Sequence, residues 1–185
     1  EGDVVGDAEV RKQRVGLKHH PDVAMLRRCL GDRSVVEQHI AVDFAREPPA
    51  ERAVADIGCG SGILSIAACL LGARTVAGVD IEPLSVAVAR ENAILNGVSP
   101  KFIVGDALAD LGEAPYDIVI SNIVSATLIA LAPDVPRVLK SGGQWIVSGI
   151  IEANWRDVLS SAEQAGFSLT ESIVEDGWVA ASFRL

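Results

Sequence analysis

The 185-residue sequence has no even set of cysteines, no excess of basic charge, no long apolar run and no internal repeat. Cys29, Cys59 and Cys69 are odd in number and lack metal-ligand spacing. They read as reduced thiols of a cytoplasmic chain without a metal site. Lys and Arg total 16 against 25 Asp and Glu, a formal charge of −9 at pH 7. Such a balance disfavours nucleic acid as a partner, because neutralising phosphates needs clustered cations. Arg11, Lys12, Arg14, Lys18, Arg27 and Arg28 do bunch early, as expected of a solvated helix face. No stretch is apolar enough to span a bilayer, which argues against a membrane partner, and no signal peptide is visible. The longest candidate, 116–133, is interrupted by Asp117 and Asn122. The chain begins with Glu1 rather than Met, which leaves room for a segment upstream.

What remains is a chain with 49% hydrophobic residues, enough to bury the core of one domain. From residue 53 onward, apolar runs alternate with helical patterns, the signature of an α/β fold with a mostly parallel sheet. Strands are expected near 53–57, 75–79, 101–104, 116–121 and 143–148. Helices are expected near 62–71, 83–96, 125–139 and 152–165. Gly72 and Gly97 supply helix stops, and Ser141-Gly142-Gly143 a turn before the fifth strand. The tail, 168–175 and 178–184 about Asp176-Gly177, reads as an antiparallel hairpin. Seven strands result. Residues 1–52 have a different texture, with helical spacing at Val23, Leu26 and Leu30 and again at Val35, Val36, His39 and Ile40. The Glu47-Pro48-Pro49-Ala50 stretch links them to the core at 53–185. They are expected to form a helical lid or substrate cap over a sheet-edge crevice.

The chemistry concentrates in Ala53-Val-Ala-Asp-Ile-Gly-Cys-Gly-Ser-Gly62 and Val76-Ala-Gly-Val-Asp80. A strand ends in Asp56, breaks at Gly58, Gly60 and Gly62, and gives way to a helix near Ile63. A second strand then ends in an acid, Asp80. Glycines admit a nucleotide-like ligand close to the backbone, and an acid at the next strand tip binds ribose hydroxyls. A dinucleotide fingerprint would place a third-position glycine where Ile63 stands. Asp56 would also repel a pyrophosphate, whereas it suits a ligand with an ammonium group. A nicotinamide or flavin site is the rival. On a bland reading, Asp80 and Asp106 are helix caps or turn residues.

The spelling DIGCGSG resembles the first motif of class I S-adenosylmethionine (SAM)-dependent methyltransferases, and Asp80 matches their ribose acid. Gly105-Asp106-Ala107 stands where that family sets an acid beside the adenine amino group. Further stretches resemble the ribosomal protein L11 lysine methyltransferases: Asp80-Ile-Glu-Pro83, Ala89-Arg-Glu-Asn-Ala93, Asn96-Gly97-Val98, Ser121-Asn122-Ile123, Ser148-Gly149-Ile150-Ile151, Ala165-Gly166-Phe167 and Gly177-Trp178-Val179-Ala180. Upstream, Gly16 and His20-Pro21 resemble the family's Gly-Thr-Gly-Thr-His-Pro loop without its threonines and second glycine. The resemblance implies a Rossmann-like, seven-stranded methyltransferase sheet with a C-terminal antiparallel hairpin. The implied cofactor is SAM, with S-adenosylhomocysteine as product, held by Asp56, Gly58, Cys59, Gly60, Gly62, Asp80, Ile81, Asp106, Ala107 and Asn122. The family also carries an N-terminal substrate domain, and residues 1–52 are too short to be one.

Methyl transfer needs an aligned nucleophile, exclusion of water and, where a proton leaves, a base. Asn122, at the fourth strand's tip, can orient an amine or indole N–H; alternatively, Ser121 or Asn122 caps the following helix. His39 with Glu37 is the candidate acid/base pair, the other reading being a partly buried histidine beside a solvated glutamate. His20 is a second candidate. Trp145, Trp155 and Trp178 are expected in the core. The short N-terminal part and enlarged lid favour a small-molecule acceptor, aromatic or amine-bearing. The alternatives are a protein lysine or arginine acceptor, to whose basic tail an acidic surface is attractive, and a non-catalytic SAM-binding module. The paired glutamates of arginine methyltransferases are not evident, since Ser121-Asn122 stands at the first position. The terminal hairpin permits a dimer without requiring one.

Overall fold

The computed structural model describes residues 51–112 and 115–185. The expected lid therefore lies, apart from Glu51 and Arg52, outside the described residues, as do Cys29, His20, Glu37 and His39. Element order is β1 (Ala53–Ile57), α1 (Ile63–Leu70), β2 (Thr75–Asp80), α2 (Pro83–Asn96), β3 (Lys101–Val104), β4 (Tyr116–Asn122), α3 (Ser125–Leu131), β5 (Leu139–Ile151), α4 (Trp155–Gln164), β6 (Ser168–Glu175) and β7 (Trp178–Arg184). Short 3-10 turns occupy Ala107–Asp110, Val135–Arg137 and Glu152–Asn154.

The strands form one seven-stranded sheet in the order β3-β2-β1-β4-β5-β7-β6. The first five pair in parallel, and β7 runs antiparallel to β5 and β6. Helices cover both faces, which is why β1 is buried along its whole length and reads as an unbroken run rather than an alternation. On one face Leu128 and Ala132 of the α3 region and Val158 and Ala162 of α4 pack on Ala55, Val119, Trp145, Val147 and Phe183. On the other, Leu64 and Ala68 of α1 meet Val54, Val76, Ile118 and Ile120. Val86, Ala89 and Ala93 of α2 close over Phe102. Trp145 and Trp155 join Phe167 and Phe183 in an aromatic cluster, with ring centroids 5.1–6.4 Å apart.

The local signals explain most boundaries. Pro83 opens α2, and Gly97, in the left-handed region, closes it. Asp176 and Gly177 both adopt positive φ, the backbone that a two-residue type I′ hairpin demands. Three expectations need correction. The helix expected over 125–139 stops at Leu131, because Pro133 and Pro136 cannot donate to it; a 3-10 turn at Val135–Arg137 follows. The Ser141-Gly142-Gly143 turn is instead an irregularity inside β5, which begins at Leu139. The β4 register jumps there from Tyr116–Leu139 to Ile118–Gln144. Trp178, expected in the core, is 42% exposed at the start of β7.

Among the described residues, no helix is long and apolar enough to cross a membrane.

Candidate active site at the carboxyl edge of the sheet

β1 has β2 on one side and β4 on the other, so the chain leaves the sheet in opposite directions from β1 and β4. A crevice opens where such connections diverge. Three tips meet at this point. Ile57 pairs with Val79 and with Ser121, so Gly58, Asp80 and Asn122 follow at one level on adjacent strands. Ser148 of β5 pairs with Asn122.

The glycine loop is fastened to β2 rather than loosely draped. The N–H groups of Gly58 and Cys59 both donate to the Val79 carbonyl, at 2.9 and 3.0 Å. Gly60 N–H donates to Asp80 Oδ2 at 2.8 Å, and Glu82 N–H to Asp80 Oδ1 at 2.9 Å. Asp80 is thus pinned by one bond at each oxygen, and each oxygen keeps acceptor capacity for a vicinal diol. The loop's three glycines do different work. Gly58 (φ 74°) has the Ile123 side chain where a Cβ would stand. Gly60 (φ 52°) has open space there. A Cβ at Gly62 (φ 79°) would lie 2.7 Å from Phe102 Cζ and 2.9 Å from Ala89 Cβ, so this glycine serves the packing of α1 on α2 and β3.

Asp56 is fully buried. Its Oδ2 accepts from Ser65 N–H at 3.0 Å and Ser65 Oγ at 2.6 Å, satisfying an amide in the first turn of α1. Its Oδ1 is buried without a partner. Burial raises its pKa to about 6; the two Ser65 bonds pull it down, and the nearby Asp80 charge adds to the rise. The carboxylate therefore shapes the loop as well as supplying negative potential beneath it. Burial also pushes the Cys59 thiol far up, helped by Asp56 and Asp80, and the Cys69 thiol up to about 11. Burial thus keeps both as thiols rather than thiolates near neutral pH.

Ile81 is 70% exposed just beyond Asp80, an apolar surface at the sheet edge. Asp106 is exposed after β3, its N–H bonded to Asp110 Oδ2, and Ala107 begins the 3-10 turn. Asn122 is half-buried at the tip of β4. Neither it nor Ser121 caps α3: the N-cap is Val124, and Ser121 Oγ accepts from Trp145 Nε1. That removes the capping explanation for Asn122. Gly149 (φ 80°) turns tightly against it, with the place of a Cβ only 3.1 Å from Asn122 Oδ1.

Residues not expected to take part complete the site. Ser65 holds Asp56. Asn92 of α2 donates to the Ser61 carbonyl at 3.0 Å and so clamps the loop from behind. Ser148 is fully buried with an unpartnered hydroxyl. Asn92 and Ser148 lie within stretches that resemble the family's, but nothing in those stretches marks their contacts, and Ser65 left no signal at all.

A cavity of about 490 Å³ between the 3-10 turn after β3 and the end of α3 touches this crevice only through Asp106. It lies away from the strand tips, and the site is the crevice. Among the described residues, no three His, Cys, Asp or Glu side chains gather to hold a metal. The donor set suits an adenosyl ligand with an ammonium group: a pinned carboxylate for a diol, an open Gly60 surface, exposed Ile81, and an orphaned carboxylate oxygen under the loop.

The family model "Ribosomal protein L11 methyltransferase (PrmA)" matches residues 42–185. The ribosomal protein L11 methyltransferase of Azotobacter vinelandii is 41% identical over 130 residues, 70% of this chain and 44% of its own length. That of Heliobacterium modesticaldum is 40% identical over 171 residues, 91% of this chain and 49% of its own. The chain thus spans about half the length of these curated relatives. The crystal structure of a ribosomal protein L11 methylase from Lactobacillus delbrueckii subsp. bulgaricus superposes with a TM-score of 0.78 at 30% identity. It covers 83% of this chain and 80% of its own.

Proposed function

The chain belongs to the ribosomal protein L11 methyltransferase family, and from that premise we propose that it transfers a methyl group from SAM to an amine of a protein. Ribosomal protein L11 is the first acceptor to try. The names of these relatives support a protein acceptor over the small molecule that the N-terminal segment suggests. One structural observation carries the reading: Gly58, Asp80 and Asn122 stand level at the switch point, with an open glycine loop between the first two.

In this reading Asp80 would accept from the ribose hydroxyls, Ile81 and Asp106 would hold the adenine end, and the Gly58–Gly60 backbone the amino-acid end. Asp56 supplies the negative potential that an ammonium group requires. When bound, the cofactor would supply a methyl carbon already activated by its sulfonium, with the thioether as leaving group. The protein has then to orient the attacking nitrogen and keep water out. Asn122 offers an amide oxygen that can accept one N–H and so aim the lone pair. An amide is no strong base, so the proton lost on N-methylation passes to solvent or to a group outside the described residues, where His20, Glu37 and His39 are the candidates.

Calorimetric titration with S-adenosylhomocysteine and, separately, NAD tests the cofactor. Incubation of the full chain with SAM and L11, read by intact mass, tests the acceptor. Micromolar binding of the first ligand alone and 14 Da increments on L11 are expected. Binding of NAD alone would overturn the cofactor, and tight binding with no transfer to L11 or other basic proteins would leave a binding module.

A further inference from the structure

Beyond Ser148, β5 carries an irregularity at Gly149 that resets its phase. Val147 and Ile150 face the same core cluster, so Ile151 leaves the sheet on the side of Ile146 and Ser148. Ile151 pairs with Trp178 of β7, and Trp178 with Glu175 of β6. One sheet face at the carboxyl edge therefore presents Asn122, Ser148, Ile151, Trp178 and Glu175 across four neighbouring strands. Ile151 and Trp178 are 44% and 42% exposed, in a protein whose other two tryptophans pack in the aromatic cluster.

Around this apolar pair stand Glu152, Glu175 and Asp176, all exposed. Glu152 is drawn to the hairpin turn by its N–H bond to the Gly177 carbonyl at 2.9 Å. At the inner end, the Ser148 hydroxyl is fully buried and unpartnered beside Asn122. A buried hydroxyl without a bond is destabilising and calls for a reason to be kept.

Resting on the reading of a protein amine as acceptor, we propose that this strip docks a basic, lysine-bearing polypeptide segment whose amine reaches Asn122 and Ser148. The lengths agree. Ile151 lies roughly 7–10 Å along β5 from Ser148, and a lysine stem reaches about 6 Å from Cα to Nζ. The segment's backbone then runs at the level of Trp178 and Ile151, which flank the aliphatic stem. Glu152, Glu175 and Asp176 meet neighbouring cations of the segment, in keeping with a chain of net charge −9. Ser148 acts here as a positioning residue, accepting a second N–H of the amine beside Asn122.

The test uses the full chain loaded with S-adenosylhomocysteine, a lysine–alanine decapeptide and its glutamate–alanine counterpart. Two variants are compared with wild type: Trp178→Ala, and Glu175→Lys combined with Asp176→Asn. Asparagine is chosen at 176 because it tolerates the positive φ of the turn, so this second variant keeps its fold if Trp178→Ala does not. The basic peptide should shield Trp178 from acrylamide, the acidic one should not, and the charge variant should bind about tenfold more weakly. Towards L11 the charge variant should show a raised KM with kcat unchanged, while Ser148→Ala should lower kcat with S-adenosylhomocysteine affinity and thermal stability retained. Equal peptide binding and equal KM in wild type and charge variant would overturn the strip even if L11 is methylated. Peptide binding at Trp178 without methylation of any lysine would instead uphold the strip and sink the proposed function.

Discussion

The two carboxylates beneath the loop divide the work. Asp80 accepts one backbone N–H at each oxygen and keeps acceptor capacity, while Asp56 is buried and half-satisfied, and its ionisation opposes folding. Its folded pKa of about 6 lies above the ordinary 3.8. Between those values the native state binds more protons than the unfolded chain, so stability from this group is full below 3.8 and is lost as pH rises through 6. The difference corresponds to roughly 3 kcal/mol. Urea unfolding of wild type and Asp56→Asn at pH 4 and pH 7 should show the wild type losing about that much relative to the variant. A parallel pair of curves would mean that Asp56 ionises without penalty. The glycines separate in the same manner. Gly60→Ala meets no neighbour and costs only the left-handed backbone, about 1–2 kcal/mol, but should weaken S-adenosylhomocysteine binding by about tenfold. Gly62→Ala drives a methyl into Phe102 and Ala89 and should cost several kcal/mol, about 2–5 from strain and overpacking together. Denaturation midpoints and titrations on both variants would expose any exchange of these roles.

At the scale of elements, Asp117 ties three strands together at the amino edge of the sheet. Asp117 of β4 accepts from Ala53 N–H of β1 at 2.8 Å through Oδ2 and from Lys140 of β5 at 2.6 Å through Oδ1. It joins the central three strands opposite the site. Burial alone would raise its pKa, but the Ala53 amide and Lys140 outweigh that and hold it below the ordinary value, with Arg74 assisting. The sign is the reverse of Asp56: stability is present above the unfolded pKa and is lost as pH falls through the depressed folded one. Asp117→Asn should cost about 1–3 kcal/mol at pH 7, and the deficit should shrink as pH falls through the depressed folded pKa. Thermal unfolding across a series of acid pH values decides it, and a deficit that stays constant throughout would reduce Asp117 to a neutral hydrogen-bond acceptor. The irregularities in β5 belong to this scale too. The one at Gly143 absorbs a mismatch with β4, and the one at Gly149 turns the strand tip toward Asn122.

Across the whole molecule, what was legible in sequence is what depends on local chemistry. The Asp-Gly turn set the terminal hairpin's register, Pro83 and Gly97 bounded α2, and the glycine loop with Asp80 located the crevice. What was hidden depends on partners distant in the chain. Ser148 acquires meaning only through its pairing with Asn122, Asn92 through its reach to Ser61, and Trp178 through lying at an edge where the sheet's outer face stays open. Apolar identity alone placed Trp178 in the core, because hydrophobic residues inside is a tendency that says nothing about edges. The acid tips and the packed sheet are also linked energetically, since the loop that would grip a ligand is bonded to β2 and clamped by α2. A ligand that binds only the folded chain adds RT ln(1 + [L]/Kd), about 2.7 kcal/mol at a hundredfold excess over Kd. For a chain of this size, such a gain should raise the melting temperature by roughly 5–10 °C. S-adenosylhomocysteine at that excess should produce the shift in wild type, and Asp80→Ala at the same concentration only a fraction of it, because the charge-assisted acceptors for the ribose are gone. NAD should produce none. An equal shift in Asp80→Ala would move the ribose off β2 and leave the pinned carboxylate a loop brace, tied to Gly60 and Glu82 for the fold alone.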